Sequence, residues 1–280
     1  MADTALVLGG GGFTGIGWEI GVLAGLARAG VDLATADVVV GTSAGALVGA
    51  QLTSGECTPL ELYERQLAAP VEEAAARMGT VAMARFAFIA LRSRDAAEFG
   101  VRMGRLARSA RTVPGTGPRE AIARRLGSHD WPARRLVITA VDAETGERTA
   151  FDDGSGIGLV DAVAASCAVP GVWPPVRAAG RRWIDGGVHS STNADLAAGY
   201  GRVVVLAPLA TSGGPLPTPR AQAAELVRSG ARVCVLTPDR AARAAFGRNA
   251  LDPRRRAAAA RASYRQATAH ARAVGRVWSQ

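Results

Sequence analysis

Short apolar runs separated by stretches of helical period make up most of this chain. Ala5–Leu8 and Val38–Val40 read as buried strands, because they are too short and too uniformly apolar for exposed segments. Strands are expected at 4–8, 37–41, 135–141, 147–151, 181–184, 202–207 and 231–236. Between many of them, apolar positions recur every three or four residues. Helices are therefore expected at 16–29, 44–54, 117–126, 158–166, 193–199 and 218–229. This alternation points to an α/β fold, a mostly parallel central sheet flanked by helices.

Two stretches depart from the alternation. From Glu61 to Arg111 no strand signal occurs. Leu60, Leu62, Leu67 and Val71, then Met78, Val81, Met83, Phe86, Phe88, Ile89 and Leu91, suggest two or three helices. The simplest reading packs them against the sheet. The alternative is a cap over a cleft, where flexible Met and Phe side chains would line an acyl pocket. The other stretch, 253–276, is rich in Ala and Arg and begins at Pro253, as one amphipathic or solvated helix would. The expected organisation is a single domain over 1–280, with a helical insertion at about 58–112 and a helical tail at about 253–276.

Candidate chemistry sits at the ends of the expected strands. Gly41-Thr42-Ser43-Ala44-Gly45 lies between the run Val38–Val40 and the helix-like Ala46–Ala50. That is G-x-S-x-G in the strand-to-helix context of a nucleophile elbow, so Ser43 Oγ becomes the candidate reacting atom. Gly41 and Gly45 leave room for a sharp turn. Gly9-Gly10-Gly11-Gly12 follows the first strand and precedes a helix. Such a turn presents backbone N–H groups to a negative oxygen, of a phosphate or of a tetrahedral acyl intermediate. Gly10, Gly12 and Gly15 also satisfy the dinucleotide fingerprint, but the ribose-binding acid expected at the end of the second strand is missing. The chain has no lysine, which excludes a Walker-type loop, a Schiff base and a Ser-Lys dyad. Asp185-Gly186-Gly187 closes another short strand, either as an ordinary turn or as a device that aims a carboxylate into a cleft.

An activated serine needs a base. His129 and His270 fall in surface-like contexts, which leaves His189, four residues after Asp185, as the candidate for a triad. A two-residue arrangement is more economical, with Asp185 taking the serine proton directly. It requires a partly buried Asp185, since an unperturbed carboxylate near pKa ~3.9 is a weak base. Asn193 and Asp195 resemble a helix N-terminal cap and are read as structural.

The ordered set Gly9–Gly12, Gly41–Gly45 and Asp185–Gly187, with Ala164–Pro175 between the last two, resembles the patatin-like phospholipases over residues 4 to 210. The resemblance implies a patatin-like three-layer α/β fold with a helical cap region. It also implies a serine lipid acyl hydrolase, with Ser43 as nucleophile, Asp185 as base and Gly10, Gly11 and Gly12 as the oxyanion hole. Gly41, Gly45, Gly186 and Gly187 support the motifs, and no metal or cofactor is implied. The expected substrate is a lipid or ester. A non-hydrolytic lipid- or partner-binding scaffold, or an acyltransferase using the same dyad, stays open. The family's glycine loop usually carries Arg or Lys where this chain has Thr14, which puts substrate preference in doubt.

Composition adds bounds. Apolar content of 48% suffices for one large core, and 20% charged residues argue against general disorder. Net charge is +9, carried wholly by arginine. Compositional bias towards arginine is its simplest source; peripheral contact with an anionic membrane surface is the functional alternative. Aromatics at 5% do not interleave with the basic residues, so no dedicated nucleic-acid binding is expected. The start of the chain lacks a charged n-region and no run approaches a membrane span, so a cytoplasmic, at most peripherally attached, protein is expected. Cys57, Cys167 and Cys234 are too far apart for a disulfide framework and read as free thiols.

Overall fold

The apolar runs become the middle of one sheet. The computed structural model describes residues 3–68, 80–110 and 117–279. Its strands are β1 (Thr4–Leu8), β2 (Val38–Thr42), β3 (Arg135–Asp142), β4 (Arg148–Phe151), β5 (Val176–Ala178), β6 (Arg181–Asp185), β7 (Arg202–Leu206) and β8 (Arg232–Leu236). The helices of the first half are α1 (Gly12–Arg28), α2 (Ala44–Thr53), α3 (Pro59–Leu67), α4 (Thr80–Arg92), α5 (Ala96–Ser109) and α6 (Gly117–Arg125). Those of the second half are α7 (Leu159–Ser166), α8 (Pro219–Arg228), α9 (Arg240–Phe246) and α10 (Arg256–Trp278).

The strand order is β5-β6-β3-β2-β1-β7-β8, with β4 paired to β3 off this path. Strands β1, β2, β3, β7 and β8 run parallel, and β4, β5 and β6 are antiparallel to their neighbours. Alternate residues serve opposite faces. Ala5, Val7, Val203 and Val205 pack with Ala194, Ala197 and Leu226 on one side. Leu6, Leu8, Val204 and Leu206 pack with Ile20, Leu47 and Val163 on the other. Each fully buried aliphatic side chain of this kind contributes about 1.5–3 kcal/mol. Both faces being covered explains why these strands are apolar throughout.

Close backbone contact fixes α10 against α1. A Cβ at Gly17 would stand 2.4 Å from the Arg256 carbonyl oxygen, at Gly21 2.1 Å from Ser263 Oγ and at Gly25 2.6 Å from Ala267 Cβ. Trp18 Nε1 donates to Gln266 Oε1 at 3.0 Å across the same seam. The tail is therefore part of the core on one face, with Ala259, Ala260 and Ala262 buried, and the solvated-helix expectation holds only for its other face.

Other expectations need correction. α1 begins at Gly12 rather than at residue 16, so the last glycine of the run already belongs to the helix. Residues 193–199 hold a 3-10 turn, Ala194–Ala197, instead of a helix. β5 was not expected. At three residues it is too short to show a pattern, and it is defined by its hairpin with β6 through Ala179 and Gly180, both at positive φ. α9 was missed as well, since Arg and Ala in seven residues leave little periodicity. In the stretch 58–112, α3 is opened by a capping box in which Thr58 and Glu61 exchange hydrogen bonds, followed by α4 and α5. Val71 and Met78 lie outside the described residues. Among the described residues, no helix is long and apolar enough to cross a membrane.

Candidate active site

Strand register brings the motifs together. Leu8 of β1 lies beside Gly41 of β2, so the glycine run leaves the sheet next to Thr42 and Ser43. On the other side of β2, Thr42 pairs with Thr139 of β3, and the next residue of β3, Ala140, pairs with Asp185 of β6. Ser43 and Asp185 thus flank the same stretch of β3. All these groups collect where β1 and β2 end, and β1 is the strand at which the chain order along the sheet reverses. Ligands of open α/β sheets bind in that crevice.

Ser43 is the elbow itself. Its backbone has φ 54° and ψ −114°, a left-handed conformation rare for a residue with a side chain. The turn is held by Ser166 Oγ, which accepts the Ser43 N–H at 2.8 Å, and by the Cys167 thiol, which donates to the Ser43 carbonyl at 3.2 Å. Close approach explains both motif glycines. A Cβ at Gly45 would lie 2.1 Å from the Leu8 carbonyl oxygen, and one at Gly41 would lie 2.6 Å from Ala46 Cα. Burial pushes the Cys167 thiol far above its ordinary range, so it is a packing group.

Asp185 ends β6 and is only 6% exposed. Burial pushes its carboxyl up to about 6, opposed by the proximity of the Ser43 hydroxyl and by the hydrogen bond from the Gly187 N–H. The Gly187 N–H donates to Oδ1 at 2.7 Å and so fixes the carboxylate's orientation. Gly186 is needed for space, since a Cβ there would lie 2.4 Å from the Thr139 carbonyl oxygen. The Asp185 turn is a 3-10 turn, Gly186–Val188, and not the hairpin of an ordinary Asp-Gly pair.

The glycine run divides its N–H groups. Gly9 donates to the Leu206 carbonyl at 3.0 Å and Gly10 to the Ser191 carbonyl at 2.8 Å. The Gly10 amide, expected among the oxyanion donors, is therefore committed to the scaffold. Gly10 instead matters for its missing side chain, since a Cβ there would lie 3.5 Å from Ser43 Cβ. The amides of Gly11 and Gly12 have no backbone acceptor outside helices and strands among the described residues. Thr14 replaces the family's cation with local bonds: its hydroxyl donates to the Gly11 carbonyl at 3.3 Å and its N–H to the Ala250 carbonyl at 3.1 Å. The cation next to this loop comes from Arg125, whose guanidinium lies 4.7 Å over the Phe13 ring.

Asn193 has a role that the sequence reading missed. It does not cap a helix. At φ 50° its side-chain amide lies within hydrogen-bonding reach of Thr42 Oγ1 (3.0 Å), Thr139 Oγ1 (3.2 Å), Gly186 O (3.3 Å) and Ser190 O (2.9 Å). It ties the Ser43 strand to the Asp185 turn. Asp195 takes Gln222 Nε2 and Arg148 Nη1, both at 2.8 Å. Burial and then the Arg148 charge hold the His189 pKa below its ordinary value, opposed by Asp195, and neither Ser43 nor Asp185 is among those causes. His129 and His270 bond to the carbonyls of Ala123 and Gln266. Among the described residues, no group of three or more His, Cys, Asp and Glu side chains is placed to hold a metal ion.

Beneath the glycine run lies Glu19 of α1, fully buried, with no hydrogen-bond partner for either carboxyl oxygen. Burial raises its pKa well above the carboxylate range, and proximity to the Gly9 N–H only partly opposes this. The folded state therefore keeps a proton that the unfolded chain releases near pKa ~4.3, and stability falls as pH rises from there towards the folded pKa. Glu19→Gln should gain stability over the parent increasingly as pH rises above the unfolded-chain carboxyl value, measured by thermal melts. A difference in Tm that stays constant with pH would show that Glu19 does not titrate in this way.

The patatin-like phospholipase family model matches residues 6–198, which include the glycine run, Ser43 and Asp185. Among curated proteins none matches the chain. Among solved structures, VipD from Legionella pneumophila is similar at 15% identity over 74% of this chain and 50% of its own, with a TM-score of 0.39. The type III effector protein ExoU is similar at 18% identity over 98% of this chain and 53% of its own, with a TM-score of 0.40. The chain spans about half the length of these two proteins. With the family model covering more than half of the chain and all three motifs, the chain belongs to the patatin-like phospholipase family.

Proposed function

We propose that this protein is a serine lipid acyl hydrolase, a phospholipase or carboxylesterase, that works through a Ser43–Asp185 dyad. One observation carries the reading: a buried carboxyl with its pKa pushed up to about 6, close enough to the hydroxyl of a serine on a strained elbow for that hydroxyl to lower it in part. Perturbed titratable groups of this kind cluster at catalytic sites.

Ser43 Oγ attacks the ester carbonyl carbon while Asp185 accepts the hydroxyl proton. The carbonyl oxygen becomes an oxyanion held by the amides of Gly11 and Gly12, each such donor being worth about 2.7–4 kcal/mol of barrier. The intermediate collapses, and the leaving alcohol takes the proton back from Asp185. Water then attacks the acyl-enzyme with the same carboxylate as base, releasing the fatty acid and restoring Ser43. A carboxyl near 6 suits this better than one near 4, since it is ionised at neutral pH yet a stronger base.

A fluorophosphonate probe tests the reading. The expected result is a covalent adduct on Ser43, located by mass spectrometry, together with free fatty acid from phospholipid or p-nitrophenyl esters. An unlabelled protein would be a lipid- or partner-binding scaffold. Labelling with acyl products formed only on added alcohols would make it a transferase.

A further inference from the structure

The two faces of α4 have opposite surroundings. Its inner face, Phe86, Ile89 and Ala90, packs in a cluster with Ile184 and Val188, which bracket the Asp185 turn. Its outer face is exposed. Val81, Phe88 and Leu91 are 65%, 58% and 84% exposed. Val81, Ala84, Phe88 and Leu91 follow i, i+3, i+7, i+10 spacing and so form one stripe. The sequence reading that packed all of these side chains on the sheet holds for the inner face only.

Within α4 the charge has one sign. Thr80 to Arg94 contains no Asp or Glu. Arg85 and Arg92, seven residues apart, lie along one edge of the stripe, and the Arg92 guanidinium sits 5.4 Å from the Phe88 ring centre. The surface also continues towards the site. The segment after β7 starts at Pro208, packed on Gly11, exposes Leu209, and returns to press Gly214 against the Ala90 carbonyl.

We propose that the outer face of α4, continued by Leu209, seats the protein on an anionic lipid bilayer, with the Ser43–Asp185 site held at the bilayer surface. This rests on the hydrolase reading above, whose substrate would lie in that bilayer. An apolar stripe edged by arginines and free of acids is the composition of an in-plane interfacial helix. Phospholipid headgroups supply the negative charge that Arg85 and Arg92 lack within α4. A second copy would bring these arginines against their own kind, so charge argues against self-association through this face.

Flotation with vesicles of phosphatidylcholine alone, or containing 30% phosphatidylglycerol, tests the proposal. The Ser43→Ala protein is used, so that no hydrolysis alters the vesicles. Binding should be about tenfold or more stronger to the anionic vesicles and should fall with added salt. Phe88→Ser with Leu91→Ser should weaken binding by about tenfold or more. Arg85→Gln with Arg92→Gln should remove most of the preference for anionic lipid. In the Ser43 background, all variants should hydrolyse a dissolved short-chain ester at the parental rate. Unchanged vesicle binding in the Phe88/Leu91 variant would overturn the proposal. So would a parental dimer that this variant converts to monomer, or an equal loss on the dissolved ester. Vesicle binding without any ester hydrolysis would leave the docking face standing and sink the hydrolase reading instead.

Discussion

On the proposed dyad, Ser43→Ala should lower ester hydrolysis by about 10⁴-fold or more, because it removes the oxygen that would take the acyl group. Asp185→Asn should cost about 10³-fold, within the usual range for a lost general base. The two variants should differ in their response to pH. In the parent, kcat/KM should rise with pH through about 6, as the Asp185 carboxyl loses its proton, and then level off. The sign follows from the role: the ionised form accepts the Ser43 proton, so activity is lost as pH falls through that value. Asp185→Asn should retain a low rate without that acidic limb. The limb persisting unchanged in Asp185→Asn would transfer the base role to another residue, and His189 would be examined first.

Gly21→Val should unfold the protein at markedly lower temperature. The Cβ alone would lie 2.1 Å from Ser263 Oγ and 2.3 Å from the Ala260 carbonyl oxygen. The hydroxyl can rotate away, but the carbonyl belongs to the α10 backbone, so the two helices must separate along the seam that also contains Gly17 and Gly25. Overpacking against backbone of this kind costs about 3 kcal/mol, the upper end of the usual range, or roughly 5–10 °C in Tm for a chain of this size. Gly213→Ala is the control, since nothing lies within 4 Å of its added Cβ and its φ is unremarkable. Equal melting temperatures for Gly21→Val and the parent would mean that α10 is not docked as described. Activity should fall with stability in Gly21→Val, because α1 carries the glycine run at its N-terminus.

The central strands β1, β2 and β7 were readable because burial on both faces leaves them almost wholly apolar. The elbow was readable for a related reason. A turn that passes 2.1 Å from Leu8 O at one position and 2.6 Å from Ala46 Cα at another tolerates only glycine there, so the constraint is written in residue type. Asn193 was misread because a polar residue before a short helical turn has the same local signature whether it caps that turn or reaches back to Thr42 and Thr139. Glu19 was passed over for a similar reason, since one acid within an apolar helix does not reveal whether it faces water. The seam between α1 and α10 is spelled by three glycines four residues apart, yet that spacing does not say which helix fills the groove.

Residue order alone therefore determined the fold class and the buried central strands, and it singled out Ser43 and Asp185 as candidates, because those features depend on local periodicity and on contacts too tight for any side chain. Tertiary structure decided the rest: that burial pushes the Asp185 carboxyl up to about 6, that the Gly10 amide belongs to Ser191 and not to an oxyanion, and that one face of α4 is exposed. Each of these depends on groups far apart in the chain. Solvent exclusion and hydrogen-bond competition are set by what packs around a residue, and its sequence neighbours do not contain that information.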